Sequence, residues 1–307
     1  DIATVVSVMT PEIIFAFYAA DMIGATLNLV DPRYSVEGIR EYIEEVDSHL
    51  LICLNVVYER CHQAAKRTHV EHVVVLSPAD SLPLPLALGY KVKNLDKNKY
   101  HSNVVHWKQF LAAGKDESIA AEPYDPEHAC VVVHTGGTTG SPKGVMLTHA
   151  ALCAQVDISA SIFPVDGGDT FLSVLPLSHT YECSIGMIYP FSMGARVVYL
   201  DRPPTASALM PALRAVRPSV MLIVPLIIEK IYRHQVLAKF NSNGFWRTLY
   251  KVGFLRRYLH RVAGKKLLKL FGGWLRFLGI GGAKLDGGAE KFLLEAKVPY
   301  AIGYGLT

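Results

Sequence analysis

Between Val131 and Leu152 the chain reads VVVHTGGTTGSPKGVMLTHAAL. Gly136, Gly137 and Gly140 lack Cβ atoms, so backbone N–H groups around them can converge on an anion. Thr135, Thr138, Thr139 and Ser141 add hydroxyls that can donate to phosphate oxygens or ligate a metal. Lys143 supplies a point charge suited to phosphate. Together these residues are suited to cradling a triphosphate. A plain Gly/Thr surface turn is the alternative, but such turns seldom combine this many hydroxyls with a lysine after a buried strand. The stretch is not a Walker A loop, because Pro142 precedes the lysine and Gly144 follows it, which breaks GxxxxGK[ST].

Such a loop needs rigid elements on either side. Ala129–Val133 is a continuous apolar run, and Thr148 predicts an N-cap for the helix HAALCAQVDI. Further along, TVVSVM, HLLICLN, HVVVLS, ACVVVHT, TFLSVLP, ARVVYL and SVMLIVP are short apolar runs. They fit strands buried on both faces of a parallel sheet. PEIIFAFYAADMIGA predicts a helix with Pro11 in its first turn, and SVEGIREYIEEVDS a second with Ser35 as its cap. TLNLVDP predicts the start of a loop, and residues 81–126 an irregular surface excursion. The expected fold is α/β, a layered sandwich of mostly parallel sheets flanked by helices. Residues 1–160 are expected to form a first α/β subdomain that includes the loop, and residues 161–307 a second. The chain starts without Met in a strand-like run and stops at AIGYGLT in a glycine turn. A piece of a longer protein, incomplete at both ends, is the expectation.

Half of the 307 residues are hydrophobic and the mean hydropathy is +0.24, which suits a well-buried α/β protein. No apolar run reaches the roughly 18–20 residues needed to span a bilayer, and no signal peptide is visible. The five cysteines show no CxxC spacing and no clustering with histidine in the sequence. Reduced, mostly buried thiols in a cytoplasmic protein are expected. Charge is uneven: Lys230 to Arg276 carries twelve Lys and Arg and no Asp or Glu. Helical spacing there predicts Leu255, Tyr258, Leu259 and Val262 on one face, with Arg256, Arg257, His260 and Arg261 opposite. A solvated helix face is one reading and contact with an anionic membrane surface through 230–276 another. Nucleic acid is not expected, because no binding-fold signature accompanies the charge.

HTGGTTGSPKG resembles the phosphate loop of the acyl-adenylate-forming (AMP-binding) enzymes, whose pattern is roughly aromatic-T-S-G-T-T-G-x-P-K-G. His134 stands where an aromatic is usual, and Gly136 where a Ser or Thr is usual. The lost hydroxyl removes one phosphate hydrogen bond, of order 1 kcal/mol. Three further segments resemble the family's motifs in the same order: LPLSHTYE (Leu175–Glu182), GGA (Gly281–Ala283) and GYGLT (Gly303–Thr307). Segments 21–52 resemble its upstream region too, so the resemblance covers nearly the whole chain. LPLSH and VPLIIEKIY are most similar to the long-chain fatty acyl-CoA synthetases.

The resemblance implies a two-step reaction. A carboxylate attacks the α-phosphate of Mg·ATP and releases pyrophosphate; the thiol of coenzyme A then displaces AMP. It also implies the large N-terminal domain of such an enzyme, with the C-terminal lid domain absent. By the same resemblance, Thr135 to Lys143 wraps the β- and γ-phosphates and Thr138 helps to hold Mg²⁺. Gly281, Gly282 and Ala283, with Gly303, Tyr304, Gly305 and Leu306, form the nucleotide slot, and Thr307 reaches the α-phosphate. His179 sits beside the reacting carboxylate, or else merely caps a strand end. Tyr181 and Glu182 shape the pocket wall. Ile185–Phe191 and VMLIVPLII are candidate acyl-pocket lining, though core is their better reading. The expected enzyme is an AMP-forming long-chain fatty acid–CoA ligase, of which this chain binds nucleotide without full activity. An adenylating enzyme for an aryl or amino acid is an alternative; TYECSIGMIYPF lacks the aspartate that amino-acid activators carry for the α-amino group. A non-catalytic membrane-associated protein is another. An oligomer is left open.

Overall fold

The computed structural model describes residues 1–93, 99–115, 117–135, 143–200, 204–240 and 242–305. They divide into two compact units, one of residues 1–154 with 176–180 and one of residues 155–175 with 181–306.

In the first unit the apolar runs pair into a seven-stranded sheet. Its strands are β1 (Ile2–Val6), β2 (Thr26–Val30), β3 (Leu50–Leu54), β4 (His72–Leu76), β5 (Val104–His106), β6 (Ala129–His134) and β7 (Gly144–Thr148). The order is β5-β4-β3-β1-β2-β6-β7. Every pair is parallel except β6 with β7, an antiparallel hairpin in which His134 faces Gly144. Val36–Glu45 and Tyr58–Ala65 cover one face, burying Ile39, Tyr42, Ile43, Tyr58 and Cys61 against Val6, Leu51 and Val73. Ser35 caps the first of these helices, its Oγ accepting from the Gly38 N–H at 3.2 Å.

Three sequence expectations are corrected here. TLNLVDP holds a central strand, fully buried from Thr26 to Val30, rather than a loop. Its Asn28 breaks the apolar run but is satisfied internally: its amide donates to Thr4 Oγ1 at 3.1 Å and to the Tyr42 carbonyl at 3.0 Å. GVMLT forms β7, paired to β6, a strand absent from the apolar runs given above. Residues 81–126 also carry more order than expected, with helices Leu84–Lys93 and Trp107–Ala113 and the edge strand β5.

The second unit has a parallel five-stranded sheet of β8 (Thr170–Ser173), β9 (Arg196–Tyr199), β10 (Val220–Ile223), β11 (Phe277–Ile280) and β12 (Tyr300–Ile302), ordered β12-β11-β10-β8-β9. Its core joins Met221, Ile223, Leu278 and Ile280 to Leu267, Phe292 and Leu293 of the helices Gly253–Leu270 and Gly287–Ala296. Val220–Ile223, Met187 and Tyr189 are buried in this unit's interior, so these candidates for acyl-pocket lining pack as core.

The basic helix Gly253–Leu270 lies with a different face inward from the one its spacing predicts. His260 is 1% exposed, its Nδ1 2.8 Å from Glu295 Oε2 and its Nε2 2.8 Å from the Tyr250 hydroxyl. Arg256 donates to both oxygens of the same carboxylate, at 2.8 and 3.1 Å. Glu295 lies outside the basic stretch, so no local pattern could reveal the pairing. The outward face instead carries Phe254, Arg257, Tyr258, Arg261, Val262 and Lys265. Among the described residues no helix is long and apolar enough to cross a membrane.

Candidate nucleotide-binding site

The Gly/Thr loop is the connection of the β6–β7 hairpin. The Thr135 N–H donates to the Lys143 carbonyl at 3.0 Å, and the Lys143 N–H donates to Thr135 Oγ1 at 3.0 Å. These two bonds close the loop at its base and leave the Lys143 side chain at an exposed position. Gly136, Gly137, Thr138, Thr139, Gly140 and Ser141, and with them the expected Mg²⁺ ligand, lie outside the described residues.

His134 occupies the last position of β6 and is 6% exposed. Both amide hydrogens of Asn28 are spent on Thr4 and Tyr42, so its oxygen faces His134 Nε2, 2.6 Å away. His134 therefore carries its proton on Nε2 and donates it. Nδ1 lies 3.3 Å from Glu45 Oε2 without a hydrogen bond. Burial lowers the imidazole pKa, against a smaller opposing pull from Glu45, so the ring is neutral. It stacks obliquely on Tyr42 with centroids 3.9 Å apart, and so keeps the flat ring that the aromatic supplies elsewhere. Glu45 Oε1 accepts from the Gly144 N–H at 2.8 Å, which pins the return strand of the loop to the Val36–Glu45 helix.

Beside β6 in the sheet, β2 ends at Val30 in the same direction, with Leu29 paired to Val133. Asp31 and Arg33 follow at that carboxyl edge, where open α/β sheets place ligands. The Arg33 backbone and guanidinium both bond Asp31, with Nε 2.9 and 3.0 Å from its two oxygens. Although burial works against it, this pairing holds the Asp31 carboxyl below its usual range. His179 is exposed on a turn closed by its N–H to the Pro176 carbonyl at 3.2 Å. Desolvation lowers its pKa; Asp31 pulls the other way and Arg33 adds to the lowering. Asp31 and Arg33, two residues that the sequence pattern left in a loop, thus both act electrostatically on His179. The Asp-Pro-Arg string signals a turn and carries no sign of the ion pair.

In the second unit the glycine-rich segments emerge at neighbouring strand ends. The Gly281 N–H donates to the Ile223 carbonyl at 3.1 Å, and the Gly303 N–H to the Ile280 carbonyl at 2.9 Å. Ala283, Gly303, Tyr304 and Gly305 are exposed, Tyr304 at 93%. Leu306 and Thr307 lie outside the described residues. Tyr181 lies against Gly279 of β11 and Gly281 just beyond it: a Cβ at Gly279 would come within 2.5 Å of its hydroxyl, and one at Gly281 within 3.2 Å of its ring. Glu182, 1% exposed, accepts a very short hydrogen bond from Ser173, and burial raises its carboxyl to about 7. A Cβ at Gly186 would come within 2.5 Å of the Glu182 carboxyl carbon. A shallow cavity of about 230 Å³ in this unit is lined by Val220, Arg276 and Phe277 among others. It opens at the start of β10 and β11, the end opposite the glycines.

The profile of the AMP-binding enzyme family matches residues 1–307. Long chain acyl-CoA synthetase 2 of Arabidopsis thaliana is 30% identical over 323 aligned positions, covering 97% of this chain and 46% of that protein. A long-chain-fatty-acid–CoA ligase of Bacillus subtilis is 25% identical, covering 62% of this chain and 36% of its own. The chain therefore spans less than half the length of these relatives. Among solved structures, a long-chain-fatty-acid-CoA ligase from Archaeoglobus fulgidus superposes on all of this chain and 52% of its own, with a TM-score of 0.69 and 17% identity. The AMP-bound A-PCP didomain of a carboxylic acid reductase from Segniliparus rugosus superposes on all of this chain and 42% of its own, with a TM-score of 0.76. At such identities the solved structures speak for the fold, and the sequence profile speaks for descent: the chain belongs to the AMP-binding enzyme family.

Proposed function

We propose that this chain binds ATP and a fatty acid for an AMP-forming acyl-CoA ligase, which joins them as an acyl-adenylate and passes the acyl group to coenzyme A. One observation carries the reading. Thr135 and Lys143, which flank the Gly/Thr/Ser segment, bond to each other at the carboxyl end of β6, in the strand next to the one that presents Asp31 and Arg33. Lys143 neutralises phosphate charge as it builds during attack by the acid, a term that acts only where the ligand is aligned. Thr135, with Gly136, Gly137, Thr138, Thr139, Gly140 and Ser141, donates to the phosphates. Thr138 is the residue that would help to hold Mg²⁺, which would neutralise charge on the phosphates through oxygen ligands. His179, whose pKa desolvation lowers while Asp31 pulls the other way, is the residue assigned to position the carboxylate. Gly281, Gly282 and Ala283, with Gly303, Tyr304, Gly305, Leu306 and Thr307, take the nucleoside. Long-chain acids are favoured by the names of the relatives that match along the chain.

Acid-dependent ATP–pyrophosphate exchange in the protein extended to its natural ends tests this, with acetate, octanoate, palmitate, 4-coumarate and mixed amino acids. The expected result is a palmitate-dependent signal that falls by at least 100-fold in Lys143→Ala. Exchange driven by coumarate or amino acids would overturn the substrate class but leave the loop's role standing. Exchange undiminished in Lys143→Ala would overturn the loop.

The outward face of Gly253–Leu270 fits a peripheral contact with anionic membrane, from which a long-chain acid would be drawn. Phe254 and Tyr258 are 73% and 64% exposed and alternate with Arg257, Arg261 and Lys265. Aromatic rings among cations suit the headgroup boundary. Arg257, Arg261, Lys265 and Lys266 changed together to glutamine should abolish sedimentation with anionic vesicles and leave ATP affinity unaltered. Arg256 is left out of this set because Glu295 holds it.

A further inference from the structure

Away from the loop, at the start of β6, the first unit gathers a second group of side chains with unlike chemistry. Asp21 comes from the last turn of the helix Pro11–Met22, Cys130 from β6, and His149 opens the helix His149–Ile162. One ligand atom from each lies within 4.8 Å of the other two. The sequence showed no such cluster, because the three residues are separated by more than a hundred positions or lie on different elements.

The imidazole is already oriented for ligation. His149 Nδ1 lies 2.8 Å from the Asp125 carbonyl and donates to it. That bond leaves Nε2 as the nitrogen facing Asp21 Oδ1, 2.5 Å away. A main-chain carbonyl on the far nitrogen is the arrangement that orients metal-bound histidine. Tyr124 stacks on the same ring at 5.5 Å, and the His149 and Ala150 N–H groups bond the carbonyls of His128 and Pro126, so ring and backbone are both held. An ion pair would account for Asp21 and His149 alone. It does not account for the Cys130 thiol, 5% exposed, which has only a 3.4 Å contact to the Leu147 carbonyl as a hydrogen bond. Next to the cluster, with ring centroids 5.4 Å apart from those of His149, His128 has a buried Nε2 without a hydrogen-bond partner.

We propose that Asp21, Cys130 and His149 bind a zinc ion. A thiolate, an imidazole and a carboxylate form the mixed soft and borderline donor set that favours zinc over magnesium or calcium. In the metal-free protein the Cys130 thiol is protonated, since burial and the neighbouring Asp21 charge push it up to about 12. A divalent ion reverses that sign: it displaces the thiol proton and the Nε2 proton, and both leave to solvent as the two bonds to metal form. Bound there, the ion ties the end of one helix, the first turns of β6 and the start of another helix into one node.

Cobalt(II) is the probe, titrated into chelator-treated full chain and then displaced by zinc. One equivalent should give a near-ultraviolet thiolate-to-cobalt band. Cys130→Ser should remove that band and weaken zinc binding at least tenfold, as loss of a ligand or of its support does elsewhere. His149→Gln should weaken binding likewise, and Cys153→Ser, which changes the exposed thiol four residues further along, should change neither. Zinc should raise the unfolding temperature of the unaltered protein and of Cys153→Ser but not of Cys130→Ser. If His149→Gln does not fold, the unaltered protein and Cys130→Ser decide the matter. Absence of a thiolate band, a band unchanged in Cys130→Ser, or a band lost in Cys153→Ser would each overturn the site.

Discussion

His134 illustrates how a departure from a motif can be compensated by its surroundings. The ring fills the place of an aromatic against Tyr42, and its one proton goes to Asn28. Phenylalanine would restore the usual ring and leave the Asn28 oxygen buried without a donor. His134→Phe should therefore cost about 1–3 kcal/mol, read as a lower urea midpoint with an unchanged slope; an equal midpoint would refute the assignment of the proton to Nε2. Glu182 makes a second residue-scale prediction. Its carboxyl is raised from 4.5 to about 7 by burial. An acid raised on folding holds its proton more tightly in the folded state, so its contribution is fully present below about pH 4.5. It is lost as pH rises through 7, by ~3 kcal/mol in all. Glu182→Gln should flatten that part of the stability profile and gain most above pH 7. Titrating both proteins by chemical unfolding from pH 4 to 8 checks it, and parallel profiles would refute it. The loop was singled out by residue types that are unusual together, and His179 by the LPLSHTYE motif around it. Asp31, Arg33 and Asn28 were not, since each is ordinary in type and takes its role from partners far along the chain.

At the scale of elements, continuous apolar runs marked the strands well, because both faces of a parallel sheet are covered. β2, β5 and β7 were exceptions, and β2 shows why. A buried Asn and the Asp-Pro that follows read as punctuation, while its bonds to Thr4, Tyr42 and His134 make it core. The basic helix erred in the opposite way: charge was taken as outward, yet Arg256 and His260 turn inward to Glu295. That inward face is tight. A Cβ at Gly264 would come within 2.7 Å of the Ala296 Cβ and 2.8 Å of its carbonyl, where the two helices cross. Gly264→Ala should force them apart and destabilise the protein by about 1–3 kcal/mol, although alanine favours helix. A thermal shift upward would show that the helices have room to part.

For the whole molecule, the chain matches less than half of its curated relatives' length, and the proposed binding role can be tested on it directly. The chain alone should bind ATP, measurable by fluorescence of a nucleotide analogue, and form palmitoyl-CoA slowly or not at all. Turnover at the rate of a full-length relative would show that these residues suffice. Charge on this scale is also readable: vesicle binding through residues 230–276 should fall steeply between 50 and 300 mM salt, as screening shortens the reach of surface cations.

The register of β6 has a consequence in time. Leu27 pairs with Val131, and the Thr26 hydroxyl donates to the Ala129 carbonyl at 2.6 Å, across roughly a hundred residues. Parallel pairing at such separation is slow, because the chain between must be closed before any contact rewards it. During synthesis β2 waits with an unpaired edge while the next hundred residues are made, and only when β6 and its hairpin partner emerge does the platform for the loop exist. A ribosome-bound nascent chain stalled before residue 129 should therefore be captured by a chaperone that binds open strand edges, and one stalled after β7 has cleared the exit tunnel should escape it.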